Sequence, residues 1–211
     1  MAMNKREGVP LEEARKRVWL KDSRGLIVKD RPTGGLSSHK EPFAHLHAPM
    51  AELGDIVKEL KPTVLIGAAA VPNVFTPEII KDMATFNKTP VIFALSNPTS
   101  KAECTAEQAY VHSEGRAIFA SGSPFPTYHG FGKTYEPGQG NNAYIFPGTS
   151  LAVICAGIHH ISDNVFLSAA EGLAEMVTES DIAVGRLYPP LTSVREISIA
   201  IAVKVAKEAY K

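Results

Sequence analysis

Short apolar runs alternate with stretches of helical periodicity over the first two-thirds of this 211-residue chain. Residues 63–66 and 91–95 are nearly all apolar, as expected of strands that are covered on both faces. Between them, Thr76 and Pro77 supply a helix N-cap and a first-turn proline. Strand and helix in this order indicate βαβ units with right-handed crossovers. The sequence therefore predicts an α/β fold, a doubly wound parallel sheet of the Rossmann-like type followed by C-terminal helices.

The predicted sheet covers residues 17–121, and two further parts follow it. Residues 122–148 are rich in Gly, Pro and Tyr without a helical period, which predicts a long loop or a short hairpin. Residues 149–211 carry helical patterns. The run 151–158 is apolar all round and predicts a buried helix. A second helix is predicted from Ser162, with Phe166 and Leu173 facing inward, and a last one from a capping box at 193–196.

Charge, hydropathy and cysteine content limit the kinds of partner that this chain is expected to have. Lys plus Arg and Asp plus Glu number 22 each, so no net field favours nucleic acid or an anionic membrane. The longest apolar run is too short to span a bilayer, and residues 1–10 contain no apolar signal segment. Cys104 and Cys155 form neither a disulfide framework nor a metal site, and we expect both to be buried. We therefore expect a soluble, intracellular protein with no nucleic-acid and no membrane partner.

Ligands of an open parallel sheet bind beyond the carboxyl ends of its strands. Four small or polar loops follow apolar runs here, at residues 22–25, 67–70, 96–99 and 121–123. Each loop alone could be an ordinary turn. Together at one edge of the sheet they predict a binding crevice.

The glycine-rich fingerprint of a dinucleotide site is missing from the sequence. Residues 130–134 look like part of a phosphate loop, but Thr127 stands where that motif needs glycine. In a doubly wound domain the glycine-rich turn follows the first strand. We therefore expect that the chain begins after that strand, and that Asp22 occupies the place of the ribose-reading acid of the second strand.

Five blocks of sequence resemble malic enzymes of the eukaryotic type. They are Ala-Leu-Ser-Asn-Pro-Thr at 94–99, Ala-Glu-Cys-Thr-Ala-Glu at 102–107, Phe-Ala-Ser-Gly-Ser-Pro-Phe at 119–125, Pro-Gly-Gln-Gly-Asn-Asn at 137–142 and Gly-Arg-Leu-Tyr-Pro-Pro at 185–190. The resemblance implies that residues 1–211 are an incomplete NAD(P)-binding domain without its first strand and glycine-rich turn. It also implies oxidative decarboxylation of L-malate to pyruvate and carbon dioxide, with NADP reduction and a Mg or Mn ion in the complete enzyme.

The resemblance assigns substrate contacts to two asparagines. Asn97 matches an asparagine near the nicotinamide and malate, and Asn141 matches a second one that touches substrate and cofactor. Amides suit this task because each offers both donors and an acceptor. From the residues alone, both would more simply be turn formers.

The expected cofactor is NADP, with NAD as the alternative. A 2′-phosphate calls for cations and hydroxyl donors, and Ser23, Arg24 and Lys40 supply them. Lys40 matches, after one inserted residue, the family position where lysine accompanies NADP. Asp22 argues mildly for NAD, and exposed surface charge is the simpler interpretation of Arg24 and Lys40. The full set of candidate cofactor-binding residues is Asp22, Ser23, Arg24, Lys40, Gly67, Ala68, Asn97 and Asn141.

The family's general acid, general base, malate-binding arginine and metal-binding carboxylates match no position of this chain. We therefore assign it no catalytic residue and no metal ligand, and expect the isolated chain to lack activity and bind NADP weakly. The resemblance also implies a homo-oligomer in the cytoplasm, with mitochondria as the alternative. We expect structural roles for His45, His47, His159 and His160, and for Arg186 either a structural role or a subunit contact.

Two other functions remain open from the sequence. One is a non-catalytic interaction fragment that pairs with full-length subunits. The other is a different NAD(P)-dependent dehydrogenase, for which the 137–142 block has no counterpart.

Overall fold

The computed structural model describes residues 7–210. Its helices are α1 (Leu11–Lys16), α2 (Leu53–Leu60), α3 (Pro77–Phe86), α4 (Ala106–His112), α5 (Phe146–Cys155), α6 (Asp163–Ala174), α7 (Glu179–Ala183) and α8 (Val194–Ala209). Its strands are β1 (Lys21–Asp22), β2 (Gly25–Leu26), β3 (Val64–Gly67), β4 (Val91–Ala94), β5 (Ile118–Ser121), β6 (Tyr128–Gly130), β7 (Lys133–Tyr135) and β8 (Gly138–Gln139). None of the helices in this part of the chain has the length and apolar character needed to cross a membrane.

The main sheet has four parallel strands in the order β3-β4-β5-β8. Helix α3 connects β3 to β4, and α4 connects β4 to β5, so the predicted βαβ units are confirmed. Thr76 caps α3 by accepting a hydrogen bond from the backbone of Ile79. Ile80, Ile92 and Phe119 are fully buried between the sheet and its helices. The prediction of an α/β, doubly wound parallel sheet with C-terminal helices is correct.

The segment around Asp22 departs from the prediction. Strands β1 and β2 form a separate antiparallel hairpin, so within residues 7–210 the parallel sheet begins at Val64 rather than at residue 17. The turn depends on Gly25, whose φ is +107° and whose missing Cβ leaves room for the Met50 carbonyl. Leu26 donates its backbone N–H to that carbonyl at 2.8 Å. The backbone is therefore tied to the segment before α2 instead of extending along the sheet.

Residues 122–148 contain the hairpin that the sequence allowed and, in addition, one short strand that the sequence did not predict. Strands β6 and β7 pair antiparallel, which confirms the hairpin. Phe131 and Gly132 form its tip with φ values of 50° and 73°, so residues 130–134 are a hairpin turn and no phosphate loop. Strand β8 has only two residues and joins the sheet beside β5. Such a short strand is set by its partner, because two residues carry no periodicity.

The C-terminal helices α5, α6 and α8 share a second hydrophobic core, with Ile197, Ile201 and Val205 of α8 at its centre. Helix α5 begins at Phe146, earlier than predicted, and Gly148 lets its backbone approach the Ser198 carbonyl of α8. Only one side of α5 is covered, and Ile154 is 79% exposed. The prediction of a helix buried all round is therefore wrong.

Three further predictions in this region are also wrong. Cys155 is exposed on α5, whereas Cys104 is buried as expected. Helix α6 buries Val165 and Leu173 but leaves Phe166 exposed, because its covered face is rotated from the predicted one. The side chain of Ser193 makes no capping hydrogen bond to α8.

Arg186 joins the helical part to the sheet part. Its guanidinium pairs with Asp181 at 3.0 Å and also with Glu136, which follows β7. The backbone N–H of Glu136 donates to the Val184 carbonyl at 2.8 Å. These contacts agree with the expected structural role of Arg186.

Candidate functional site

The carboxyl ends of the four parallel strands lie in one row. Gly67, Ala94, Ser121 and Gln139 stand opposite one another in the strand register. The row continues one residue further, since Leu95, Gly122 and Gly140 donate backbone N–H groups to the carbonyls of Gly67, Ala94 and Ser121 at 2.7–2.9 Å. Asn97 lies three residues after the end of β4, and Asn141 lies two residues after the end of β8. The two asparagines therefore lie at the same edge of the sheet, as the sequence predicted for that pair.

Asn97 is oriented by the loop after the neighbouring strand. The hydroxyl of Ser123 donates to Asn97 Oδ1 at 2.5 Å, which identifies that end of the amide as the acceptor and the Nδ2 end as the donor. Gly122 makes this approach possible, because a Cβ there would collide with the Leu95 carbonyl and crowd Asn97 Nδ2. The peptide bond between Asn97 and Pro98 is cis.

Asn141 lies at the start of a short 3-10 helix, Asn142–Tyr144, and is half-buried. Its Oδ1 accepts the backbone N–H of Ala143 at 2.9 Å. Two residues earlier, Gln139 donates its side-chain amide to the Gly122 carbonyl at 3.1 Å. Hydrogen bonds of Gly122 and Ser123 thus connect the loop after β5 to Gln139 of β8 and to the loop after β4.

Gly67 and Ala68 end strand β3 at the same edge. Gly67 is buried and Ala68 is exposed. A Cβ at Gly67 would collide with the carboxyl group of Glu103. Glu103 is fully buried and was not among the predicted site residues. The local signal for it was a charged residue between the small residues Ala102 and Cys104.

Asp22 lies in a cluster of cations on the β1–β2 hairpin. Arg31 donates to both of its carboxylate oxygens, at 2.6 and 3.0 Å, and Lys40 Nζ lies 2.6 Å from Oδ2. The backbone N–H of Arg24 adds a bond of 2.9 Å to Oδ1. These bonds, led by the one from Arg31, hold the pKa of Asp22 well below its usual range. Sequence reasoning named Lys40 but missed Arg31, whose side chain is only 3% exposed.

The other members of this group are accessible. Ser23 and Arg24 are exposed, and the side chain of Arg24 lies against Gly34, where a Cβ would collide with it. On the other side of the hairpin, Trp19 stacks on His45 with 3.8 Å between ring centroids. His45 Nε2 lies 2.9 Å from the Val18 carbonyl, which agrees with its expected structural role.

The candidate residues therefore form two groups. Asp22, Ser23 and Arg24 lie on the hairpin, and Lys40 joins them through its ion pair with Asp22. Gly67, Ala68, Asn97 and Asn141 lie at the strand ends. Among the hydrogen bonds and ion pairs of residues 7–210, none joins one group to the other. Strand β1, which carries Asp22, pairs with β2 and lies outside the four-stranded sheet.

A metal centre has no support in the residues that the structure describes. These residues contain no group of three or more His, Cys, Asp and Glu side chains that could hold an ion. The expectation that the chain supplies no metal ligand stays a prediction.

A parallel α/β sheet with loops gathered at its carboxyl edge is the architecture of the class of open α/β domains that includes dinucleotide-binding domains. A family model described as "Malic enzyme, NAD binding domain" matches residues 1–210. The chain belongs to this family, and the resemblance found in the sequence is confirmed.

Curated relatives are similar over the whole chain. The chain is 59% identical to "NADP-dependent malic enzyme" of Columba livia and 55% identical to the protein of that name in Homo sapiens. It is 54% identical to "NADP-dependent malic enzyme, mitochondrial" of Homo sapiens. Each alignment includes 100% of this chain but only 38%, 36% and 35% of the respective relative. The chain thus spans just over a third of the length of these proteins.

Proposed function

We propose that this chain forms the NADP-binding part of a malic enzyme, which oxidises L-malate and releases pyruvate and carbon dioxide. The observation that carries the proposal is the meeting of Asn97 and Asn141 at the carboxyl edge of the parallel sheet. The names of the relatives support the activity and the cofactor. The activity belongs to the complete enzyme, of which this chain would be one part.

Asn97 and Asn141 would bind the nicotinamide end of the cofactor and malate. The Ser123 hydroxyl donates to Asn97 Oδ1, so the Nδ2 hydrogens of Asn97 are left to donate to a ligand. Amide donors fit a carboxylate, a hydroxyl or a carboxamide oxygen. NADP, when bound, accepts the hydride from malate, whereas the residues of this chain hold and orient the reactants.

The cation cluster favours NADP over NAD. Asp22 alone would repel a 2′-phosphate, but Arg31 neutralises it through two hydrogen bonds. Arg24 is exposed and the Lys40 side chain is 40% exposed, so both cations can reach a phosphate in solvent. Two cations, Arg31 and Lys40, pair with the one carboxylate of Asp22 and leave an excess of positive charge there. Phosphate groups form strong, charge-assisted hydrogen bonds with such cations.

The variant Lys40→Gln tests the choice of cofactor. It removes one charge-assisted hydrogen bond, so we expect the affinity for NADP to fall about tenfold while that for NAD changes little. Dissociation constants of the purified chain for both cofactors, from chemical-shift titrations of ¹⁵N-labelled protein, measure the ratio even when binding is weak. Lys88→Gln is the matched control, because Lys88 is exposed and precedes β4 at the opposite edge of the sheet. An unchanged ratio in Lys40→Gln would contradict the proposal.

The isolated chain is proposed to be inactive towards malate. It spans 38% of the Columba livia relative, and the resemblance assigns the family's acid, base and metal ligands to no position in it. Formation of NADPH from malate and Mn by the purified chain, followed by its absorbance in a standard dehydrogenase assay, would show that this proposal is wrong.

A cytoplasmic location is our corresponding proposal. The names of the relatives from Columba livia and Sus scrofa carry no organelle, whereas two others are named mitochondrial. Imaging of the tagged gene product in cells distinguishes the two compartments.

A second candidate function is association with further copies of the chain or with full-length subunits. Leu151 and Ile154 of α5, Ile161 after it and Phe166 of α6 are all exposed. Apolar side chains gathered in this way are typical of contact surfaces. This function is compatible with cofactor binding, because these helices lie outside the strand ends.

A further inference from the structure

Glu103 is a fully buried carboxylate that the proposed chemistry does not use. It lies in the segment between β4 and α4, and its side chain contacts the loop after β3 as well as the start of its own segment. Its oxygens accept a hydrogen bond from the Ser96 hydroxyl and longer ones from the backbone N–H groups of Ser96 and Ala69, both at 3.4 Å. All three partners are donors, which suits an ionised carboxylate because that group only accepts.

The position of Glu103 is built around its negative charge. Burying a carboxylate is costly unless donors surround it. No ion pair of residues 7–210 involves Glu103, so the donors are neutral groups of the two loops. Gly67 provides the space, since any Cβ there would collide with the carboxyl group. The charge of Glu103 also contributes, after burial, to raising the pKa of the neighbouring Cys104 thiol to about 12.

The hydrogen bonds of Glu103 continue to a strained residue. The Ser96 hydroxyl, which donates to Glu103, accepts the backbone N–H of Ala70 at 2.8 Å. Ala70 has a φ of 54°, in the left-handed region that a Cβ disfavours. A residue keeps such a conformation only where its surroundings fix it. The two hydrogen bonds that run from Ala70 through Ser96 to Glu103, called the relay below, hold Ala70 in this conformation.

The backbone of the same segment holds the far side of the loop after β3. The carbonyl of Glu103 accepts the N–H of Phe75 at 3.0 Å, and that of Ala102 accepts the N–H of Asn73 at 3.1 Å. Residues 68–76 are thus tied to residues 102–103 at both ends. Asn97 follows Ser96 directly. The hydrogen bonds between Ser96 and Glu103 therefore also help to fix the backbone position of Asn97.

We propose that Glu103 is a positioning residue of the dinucleotide site, which fixes the loops after β3 and β4 at the carboxyl edge of the sheet. The expected effect on cofactor affinity rests on the proposed function, because disordered loops at the carboxyl edge of the sheet would bind the cofactor less well. Glu103 acts through Ser96 and Ala70 and touches neither cofactor nor substrate.

The test combines Glu103→Gln with Ala70→Gly in one chain. The glutamine amide places a donor among donors, so we expect the amide signals of Ala69, Ala70 and Asn97 to shift and their hydrogen exchange to accelerate. We expect the dissociation constant for NADPH to rise by up to about tenfold, because the loss of one internal charge-assisted hydrogen bond lowers the population of the ordered loops by at most about that factor. Glycine adopts a positive φ without a Cβ penalty. Ala70→Gly should therefore restore most of the loop order and affinity in the double variant.

The rescue separates positioning from a general contribution to stability. If Glu103 only stabilised the core, a glycine at position 70 would not restore anything. Glu107→Gln, an exposed carboxylate in the same block, is the matched control and should leave all signals unchanged. Ser96→Ala interrupts the relay while keeping the carboxylate, and the same loosening and rescue are expected there if Glu103→Gln does not fold.

The outcomes distinguish this inference from the proposed function. Wild-type loop signals in Glu103→Gln, or a double variant without rescue, would overturn the positioning role whether or not NADPH binds. Loosened loops that Ala70→Gly restores would support it. If the wild-type chain failed to bind NADPH while its loops responded in this way, the proposed function of the isolated chain would be the part that fails.

Discussion

At the scale of single residues, charge pairing determines how the hairpin group is arranged. Arg31 reaches Asp22 with two hydrogen bonds while its side chain is almost completely buried. Lys40 pairs with the same carboxylate but stays 40% exposed. Arg31 therefore neutralises Asp22, whereas Lys40 can exchange its partner for a ligand.

The pairing of Asp22 predicts a dependence of stability on pH. Its folded-state pKa lies below the ordinary value of 3.8, so the stabilisation is present above about pH 4 and is lost as the pH falls further. We expect Asp22→Asn to lower the free energy of unfolding at pH 7 by about 1 kcal/mol, the upper range for a partly exposed pair. At pH 3 the difference should shrink. Urea denaturation at both pH values measures it.

The control for this experiment is Asp30→Asn, at an exposed aspartate on the same segment. It should be close to wild type at both pH values. Parallel pH profiles for Asp22→Asn and the wild type would contradict the interpretation.

The sequence predicted where the candidate site residues lie better than it predicted which side chains they pair with. Asn97 and Asn141 were predicted at one edge, because the ends of parallel strands must meet there. Arg31 and Glu103 were missed, since their partners lie nine and seven residues away and are selected by tertiary contacts. The assignment of Asn97 and Asn141 to cofactor or substrate stays a prediction.

At the scale of elements, two similar capping motifs have different structures. Thr105 and Gln108 form a complete capping box on α4, with both reciprocal hydrogen bonds present. The predicted box of Ser193 and Glu196 on α8 does not form, because Ser193 already lies in the 3-10 turn Leu191–Ser193. A capping residue needs an extended backbone to direct its side chain to the helix.

This difference predicts unequal effects of alanine at the two positions. Thr105→Ala should lower the free energy of unfolding by about 1 kcal/mol, whereas Ser193→Ala should change it by only a few tenths. Urea denaturation followed by circular dichroism compares them, and each variant is the control for the other. Equal losses would mean that Ser193 caps its helix after all.

Strands and helices with clear periodicity were predictable, and elements defined by their neighbours were not. Strands β3, β4 and β5 and helix α3 follow from apolar spacing and capping residues. Strand β8 depends on β5 for its pairing. Helix α5 is apolar on all sides, so its sequence could not show which side would be covered.

At the scale of the whole molecule, several exposed apolar side chains lie on α5, on α6 or between these two helices. Ile154, with 79% of its surface exposed, is the most accessible of them. We expect the purified chain to have a mass above 22.7 kDa by size-exclusion chromatography with light scattering, because apolar patches favour association. Ile154→Lys should shift the distribution towards monomer without a loss of stability.

Ile182→Lys is the matched control, since Ile182 is exposed on α7 away from this patch. It should leave the distribution unchanged. A monomeric wild-type chain at every concentration tested would argue against association through α5 and α6.

Trp19 gives the hairpin group a natural optical probe. It is the chain's one tryptophan, it precedes Asp22 by three residues, and its ring stacks on His45. Indole emission responds to nearby charge and to ring stacking, so any ligand that displaces Lys40 from Asp22 would be reported by light from this single fluorophore. Binding of NADP at the hairpin, where we propose that its 2′-phosphate lies, can therefore be monitored without a label, separately from the strand ends.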